Sequence, residues 1–170
     1  MRMSRFMGFS WVRPYLAIGP KPDPTAWAAL EEAGVSLVID LNDDPSERRQ
    51  AEGLGLRYRG LRVPDPTEVE DFQTSFPTIH QWIEDERAAG GKVYLHCTAG
   101  VYRSPTSAMA HLMSRGESGK EAERTVKNAH KPTWTSGDVG ALRRALHLWE
   151  TRQHLRLRRL EDRHSNVEKS

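Results

Sequence analysis

The sequence is organised around residues 93–104, which read Val93-Tyr94-Leu95-His96-Cys97-Thr98-Ala99-Gly100-Val101-Tyr102-Arg103-Ser104. The first four residues predict a short buried strand, and Ser104-Pro105 is a favourable helix start. The segment between them is therefore a strand-to-helix loop. It places Cys97, the single cysteine of the chain, six residues before Arg103. This arrangement indicates a thiolate that faces a bound anion.

The predicted loop has the features that activate a thiol. A helix N-terminus and an adjacent cation lower the pKa of a cysteine from about 8.5 to roughly 3.5–7.5. Backbone N–H groups that wrap around one centre bind phosphate at other strand-loop-helix turns, and an arginine adds a two-pronged hydrogen bond. The residues predicted to bind phosphate are Thr98, Ala99, Gly100, Val101, Tyr102 and Arg103.

Attack of Cys97 on phosphorus also requires an acid, because the departing oxygen needs a proton. Asp65 is the best candidate, because it follows a predicted strand and the C-terminal ends of parallel strands meet at one edge of a sheet. It lies between two prolines, so a role in the turn alone is the alternative. Asp71 and Glu68 are the fallback candidates for the acid, although they suit a helix start better. Ser104 is placed to assist departure of the thiolate, and it could also only begin its helix.

Strands and helices alternate along the chain, with glycine-rich turns between them. The pattern predicts strands over residues 15–18, 35–41, 57–63 and 93–96, and helices from Pro24 to before Gly34, over 46–54, from near Pro77, from Ser104, from Ser118 and from near Gly137. It indicates a single α/β domain with a mostly parallel central sheet of about four to five strands, covered by helices. The catalytic domain is predicted to span residues 1–150, and a basic, partly disordered tail residues 151–170.

Composition excludes several classes of protein. One cysteine rules out an internal disulfide framework and a zinc site built on several thiolates, and it is typical of a reducing compartment, so we expect a cytoplasmic protein. Residues 151–170 carry a charge of +3 and the first 150 residues carry −1, which together give the formal charge of +2. Because most of the chain is nearly neutral, nucleic acid, whose binding relies on clustered positive charge, is not expected as a partner. No apolar run approaches the roughly 18 residues of a membrane span. A monomer is expected, and no metal or organic cofactor.

The loop and its surroundings resemble the cysteine-dependent protein phosphatases, and most closely the dual-specificity group. The resemblance covers residues 15–149 and rests on five segments in the same order: Tyr15-Leu16-Ala17-Ile18-Gly19, residues 34–41, Val63-Pro64-Asp65, His96-Cys97-x5-Arg103-Ser104, and Ser104-Pro105-Thr106. It implies hydrolysis of phosphotyrosine and phosphoserine or phosphothreonine in proteins through a cysteinyl-phosphate intermediate.

The resemblance also implies a role for each site residue. Cys97 would be the nucleophile, Arg103 the ligand of the phosphate and the transition state, Asp65 the acid and then the base, and Ser104 the hydroxyl that supports the departing thiolate. His96 would orient the loop without touching the substrate. Tyr102 departs from the family pattern, in which glycine or serine is commoner before the arginine.

Three other functions compete with this interpretation. Residues 97–100 together with Trp134 also resemble the glucan phosphatase branch, which acts on phosphorylated polysaccharide. Rhodanese-like sulfurtransferases likewise place a cysteine near an arginine at a helix start, but they need no general acid. An inactive phosphate-binding module is the non-enzymatic alternative, although cysteine, arginine and acid are all present. The remaining histidines show no metal-ligand spacing, and we expect them at the surface or in satisfied positions.

Overall fold

The computed structural model describes residues 8–63, 72–131 and 136–167. Its strands are β1 (Ser10–Arg13), β2 (Leu16–Gly19), β3 (Leu37–Asp40), β4 (Arg57–Gly60) and β5 (Val93–His96). Its helices are α1 (Pro24–Glu32), α2 (Pro45–Gly53), α3 (Phe76–Ala88), α4 (Arg103–Ser114), α5 (Gly119–His130) and α6 (Ser136–Val167). A 3-10 turn at Gln73–Ser75 leads into α3.

The strands form one five-stranded sheet in the order β1-β2-β5-β3-β4. β1 pairs antiparallel with β2, and the other pairs are parallel. The last residues of the parallel strands are in register, because Gly19 pairs with His96, His96 with Asp40, and Asp40 with Gly60. The loops that follow these four strands therefore emerge side by side at one edge of the sheet.

Helices cover both faces of the sheet, and alternate strand residues point to opposite faces. Leu16, Ile39 and Leu95 belong to the larger hydrophobic cluster, which includes residues of α3, α4, α5 and α6. Val38 and Tyr94 belong to the smaller cluster, which includes residues of α1 and α2. Buried residues on both faces explain the continuous apolar character of β3 and β5 in the sequence.

Several helix ends follow directly from local sequence signals. Asp23 and Asp44 each accept hydrogen bonds at the start of a helix whose first residue is proline. Ser118 and Glu121 form the expected capping box of α5. The sheet order and the parallel pairing of its strands confirm the predicted α/β fold with a mostly parallel sheet.

Three features of the strands differ from the sequence prediction. The strand predicted over residues 35–41 is limited to Leu37–Asp40. The strand predicted over residues 57–63 ends at Gly60, although Leu61 and Val63 still donate backbone hydrogen bonds to Asp40 and Leu41. β1 was not predicted, because glycine and serine interrupt the apolar pattern there and the pairing with β2 forms it.

The tail predicted from residue 151 continues α6 as a helix as far as Val167. Trp149 is buried, whereas Leu155, Leu157 and Leu160 are exposed. The division between a catalytic domain and a tail stays a prediction. Among the helices in the described ranges, none has a stretch of the length and apolarity that crossing a bilayer requires.

Candidate active site

The loop after β5 lies at the edge of the sheet where the parallel strands end. Its residues 97–102 connect His96 to the first residue of α4, Arg103. Gly100 has a φ of +69°, and a Cβ atom there would lie 2.6 Å from the backbone of Gly19 and of Pro20. The loop is therefore packed tightly against the segment that follows β2, and only glycine fits at this position.

Cys97 and Ser104, which the sequence pairs as nucleophile and supporting hydroxyl, lie side by side. Cys97 is 3% exposed, and its Sγ is 3.5 Å from the Oγ of Ser104. Ser104 is fully buried, and its hydroxyl is also 3.3 Å from the carbonyl oxygen of Gly19. The thiol lies close to the N-terminus of α4, where the helix dipole favours a negative charge. A hydroxyl at this distance can donate to a thiolate.

Arg103 is held at the same edge by three acceptors. Its Nη2 donates to the Oγ1 of Thr98 at 3.1 Å, and its Nη1 donates to the carbonyl oxygens of Val63 at 3.2 Å and Leu41 at 3.4 Å. These contacts hold the guanidinium of Arg103 beside the loop of residues 97–102. Sequence reasoning did not identify Leu41 or Val63, because they act through backbone atoms that any residue type supplies.

The outer side of the loop is tied to its neighbours. Thr98 donates from its hydroxyl to the Oδ1 of Asn42 at 3.1 Å, and its carbonyl accepts from the backbone N–H of Lys21 at 3.0 Å. The Nε2 of His130 lies 2.7 Å from the carbonyl oxygen of Gly100. The Nδ1 of His130 lies 2.9 Å from the hydroxyl oxygen of Ser10, so both ring nitrogens have partners, as expected of a satisfied histidine, and one of these partners belongs to the loop.

His96 lies directly behind Cys97 in a buried polar network. Its Nδ1 is 3.1 Å from the carbonyl oxygen of Cys97, and its Nε2 is 2.9 Å from Glu47 and 3.8 Å from Asp40. All three side chains of this group (His96, Glu47 and Asp40) are at most 1% exposed. Lys21 reaches the other oxygen of Glu47 at 3.2 Å. This position is consistent with the predicted orienting role of His96.

Sequence reasoning missed Glu47 and Asp40. Asp40 accepts from the hydroxyl of Tyr58 at 2.7 Å and from the backbone N–H groups of Asn42 and Asp44. Burial, together with the hydrogen bond to Asp40, raises the pKa of Tyr58 well above its usual range, so it stays a donor. A glutamate in the first turn of an exposed-looking helix carries no local signal of such burial.

The other predicted loop residues differ in exposure. Thr98 and Ala99 are exposed, whereas Val101 and Tyr102 are half-buried. Tyr102 packs against the larger hydrophobic cluster, so its bulk is accommodated at the base of the loop. Asp65, the predicted acid, and Trp134 lie outside the described residues. Val63, two residues before Asp65, is held by Arg103.

Two groups of metal-ligand residue types occur in the described parts of the chain: Asp40, Glu47 and His96, and His80, Glu84 and His111. The first group is fully buried and shares its carboxylates with Lys21 and Tyr58. The second group lies away from the loop. The expectation that these histidines have no metal-ligand spacing is wrong for His80, which is four residues from Glu84 on α3.

Comparison with known proteins identifies relatives of this chain and of its fold. The family described as "Dual specificity phosphatase, catalytic domain" matches residues 16–136. The chain is 40% identical over 107 residues to mouse dual specificity protein phosphatase 26, an alignment that covers 60% of this chain and 49% of that protein. It is 30% identical over 102 residues to human dual specificity protein phosphatase 5, covering 60% and 26% of the two chains.

The chain thus spans between a quarter and half of the length of these relatives. Among solved structures, a variant of human DUSP28 superimposes with a TM-score of 0.72 at 24% identity, covering 88% of this chain and 98% of that one. At this identity the similarity concerns the fold.

Proposed function

The chain belongs to the dual specificity phosphatase catalytic-domain family, and from this premise we propose that it hydrolyses phosphate monoesters on tyrosine and on serine or threonine of proteins. The observation that carries the proposal is the position of three groups at one sheet edge. The Cys97 thiol, the Ser104 hydroxyl 3.5 Å from it and the anchored Arg103 guanidinium belong to the loop of residues 97–102 and to the start of the helix that follows it. This is an arrangement for binding a phosphate and attacking it.

The proposed reaction has two steps. In the first, the Cys97 thiolate attacks phosphorus, the bond from phosphorus to the ester oxygen breaks, and Asp65 gives its proton to that oxygen. In the second, Asp65 takes a proton from water, the water oxygen bonds to phosphorus, and the sulfur–phosphorus bond breaks to release phosphate. Arg103 binds the equatorial oxygens throughout, and Ser104 donates to the sulfur as the thiolate departs.

The buried network behind the loop supports the nucleophile's proposed role. His96 contacts the carbonyl oxygen of Cys97, and Glu47 contacts the far side of the His96 ring. The contact with its own carbonyl restrains the backbone of Cys97, which carries the Sγ. The relatives identified here are phosphatases of proteins by name, so phosphoglucan hydrolysis and sulfur transfer are not favoured. We expect the activity in the cytoplasm, from a monomer.

Hydrolysis of an aryl phosphate and of matched phosphotyrosine and phosphothreonine peptides tests the proposal. Cys97→Ser should abolish turnover of all three substrates. Asp65→Asn should lower the rate about 10²–10⁴-fold on the peptides, whose leaving groups need a proton. Asp71→Asn, on the same segment of sequence, is the matched control and should retain activity. Turnover by Cys97→Ser, or consumption of thiosulfate in place of phosphate esters, would exclude the proposed function.

Ser104→Ala tests the second step separately. It should slow hydrolysis of the phosphoenzyme, so that an aryl phosphate gives a burst of phenol followed by a slower steady state. Ser107→Ala is a close control, because Ser107 is 1% exposed on the same helix and its hydroxyl has no hydrogen-bond partner among the described residues. Identical burst kinetics in the two variants would contradict the role of Ser104.

A further inference from the structure

Two histidines and a glutamate meet between α3 and α4, outside the active site. His80 and Glu84 are four residues apart on α3 and so share one face of that helix. The Nδ1 of His80 is 2.9 Å from the Nδ1 of His111 on α4, and the Nε2 of His111 is 3.8 Å from Glu84. One ligand atom from each of the three residues lies within 4.8 Å of the others.

The orientation of His111 suits a metal ligand. Its Nε2 lies 3.0 Å from the hydroxyl oxygen of Tyr15, which can accept a hydrogen bond from it. A ligating histidine usually donates its other ring N–H to an oxygen. In the tautomer of His111 that carries its proton on Nε2, the Nδ1 lone pair faces His80. Burial lowers the pKa of His111 to about 3, so the ring is neutral at pH 7.

Glu84 is ionised and fixed in position. Arg115 donates from one nitrogen to both carboxylate oxygens, at 2.8 and 2.9 Å. Burial opposes ionisation, but the hydrogen bond and charge of Arg115 prevail and the pKa of Glu84 is lowered. A nitrogen of Arg87 lies 3.6 Å from Oε2, so Oε1, the oxygen nearer His111, is the one with a lone pair beyond the one that Arg115 uses. Arg115 therefore orients the carboxylate as outer partners of a metal site do.

The cluster is open on one side. The side chain of His111 is fully buried, whereas that of Glu84 is 26% exposed and His80 is half-buried. An ion can therefore enter from solvent and keep a water molecule as its fourth ligand. Two nitrogens bound to one tetrahedral zinc ion lie about 3.3 Å apart, so the rings need to separate by only about 0.4 Å.

We propose that His80, Glu84 and His111 bind a divalent transition-metal ion of the zinc class. Two imidazoles and one carboxylate are a donor set that zinc accepts with an open fourth position. The ion would join α3 to α4. Oxygen-only cations such as Mg²⁺ and Ca²⁺ do not suit two nitrogen ligands.

The proposed site is separate from the catalytic loop. Tyr15 immediately precedes β2, so the cluster lies at the N-terminal edge of the parallel strands, opposite Cys97. His111 follows Arg103 by eight residues, which corresponds to about 12 Å along the helix axis. The proposal therefore does not depend on the proposed phosphatase activity.

Metal binding to the full chain tests this inference. The protein carries Cys97→Ser, which removes the thiolate as a competing ligand, and is freed of metal with a chelator. Co²⁺ is then titrated while its visible absorption is recorded, and Zn²⁺ is titrated against a chromophoric chelator. We expect one equivalent of either ion to bind, a Co²⁺ spectrum typical of nitrogen and oxygen ligands, and a rise in the thermal unfolding midpoint.

Variants locate the site. His80→Ala and Glu84→Gln should weaken binding at least about 100-fold, and Tyr15→Phe about 10-fold, in line with the loss of outer partners at other metal sites. His154→Ala, which removes an exposed histidine of α6, should bind as tightly as the parent protein. Circular dichroism of each metal-free variant shows that it is folded. Absence of saturable uptake, or equal affinity in Glu84→Gln and His154→Ala, would overturn the proposal.

Discussion

Replacement of Gly100 by alanine should damage the protein, and the candidate active-site loop in particular, far more than the same replacement at Gly90. Both glycines have a positive φ, +69° at Gly100 and +79° at Gly90. A Cβ atom at Gly90 meets no atom within 4 Å, whereas at Gly100 it would lie 2.6 Å from the backbone of Gly19 and of Pro20. The two variants share the cost of the left-handed conformation and differ in the collision.

The magnitudes follow from these contacts. A left-handed alanine costs about 1–2 kcal/mol, which is the whole effect expected for Gly90→Ala. Crowding against backbone adds about 1–3 kcal/mol for Gly100→Ala. Because ordinary contact begins at 3.4 Å, the loop or its neighbour must move by about 0.8 Å. A displacement near 1 Å at a reacting centre can lower the rate about 10²-fold.

Denaturant unfolding and aryl phosphate hydrolysis measure the two effects on the same samples. Gly90→Ala should lose a little stability and retain kcat/KM. Gly100→Ala should have a free energy of unfolding about 1–3 kcal/mol below that of Gly90→Ala, because of the added crowding, and its kcat/KM should fall about 100-fold. Equal stability of the two variants together with equal activity would refute the reasoning from loop packing.

Two further predictions concern the polar network and a helix cap. Glu47→Gln should lower the free energy of unfolding by about 1–3 kcal/mol and lower kcat several-fold, because it removes the charge that His96 contacts. Glu52→Gln, which changes an exposed residue of the same helix, should alter neither unfolding nor turnover. Ser118→Ala should lower stability by about 1 kcal/mol in thermal unfolding at pH 7, through loss of the capping box. Hydrogen bonds from the backbone and hydroxyl of Ser118 lower the pKa of Glu121 below 4.5. The contribution of the ionised carboxylate to folding stability is therefore complete above pH 4.5 and is lost as the pH falls through the lowered pKa. The stability difference between Ser118→Ala and the parent should therefore shrink in acid, and a difference that stays constant to low pH would contradict the role of the carboxylate.

Much of the fold could be predicted because its signals are local. The Asp-Pro pairs at residues 23–24 and 44–45 mark the starts of α1 and α2, and the apolar run before Cys97 marks β5 to the residue. β1 could not be predicted, because its hydrogen bonds come from β2 and its own sequence has no regular pattern. Strand ends such as Gly60 likewise depend on neighbours that lie elsewhere in the chain.

The sequence by itself determined the core of the candidate site, because Cys97, Arg103 and Ser104 lie within eight consecutive residues and a strand-loop-helix turn brings them together wherever it occurs. Asp65 stays a prediction, since it lies outside the described residues. Only the tertiary structure decided that Glu47 contacts His96 and that His80 contacts His111, at separations of 49 and 31 residues. Such contacts join side chains from different elements, and packing of those elements around the sheet, which no local pattern encodes, sets the distances between them.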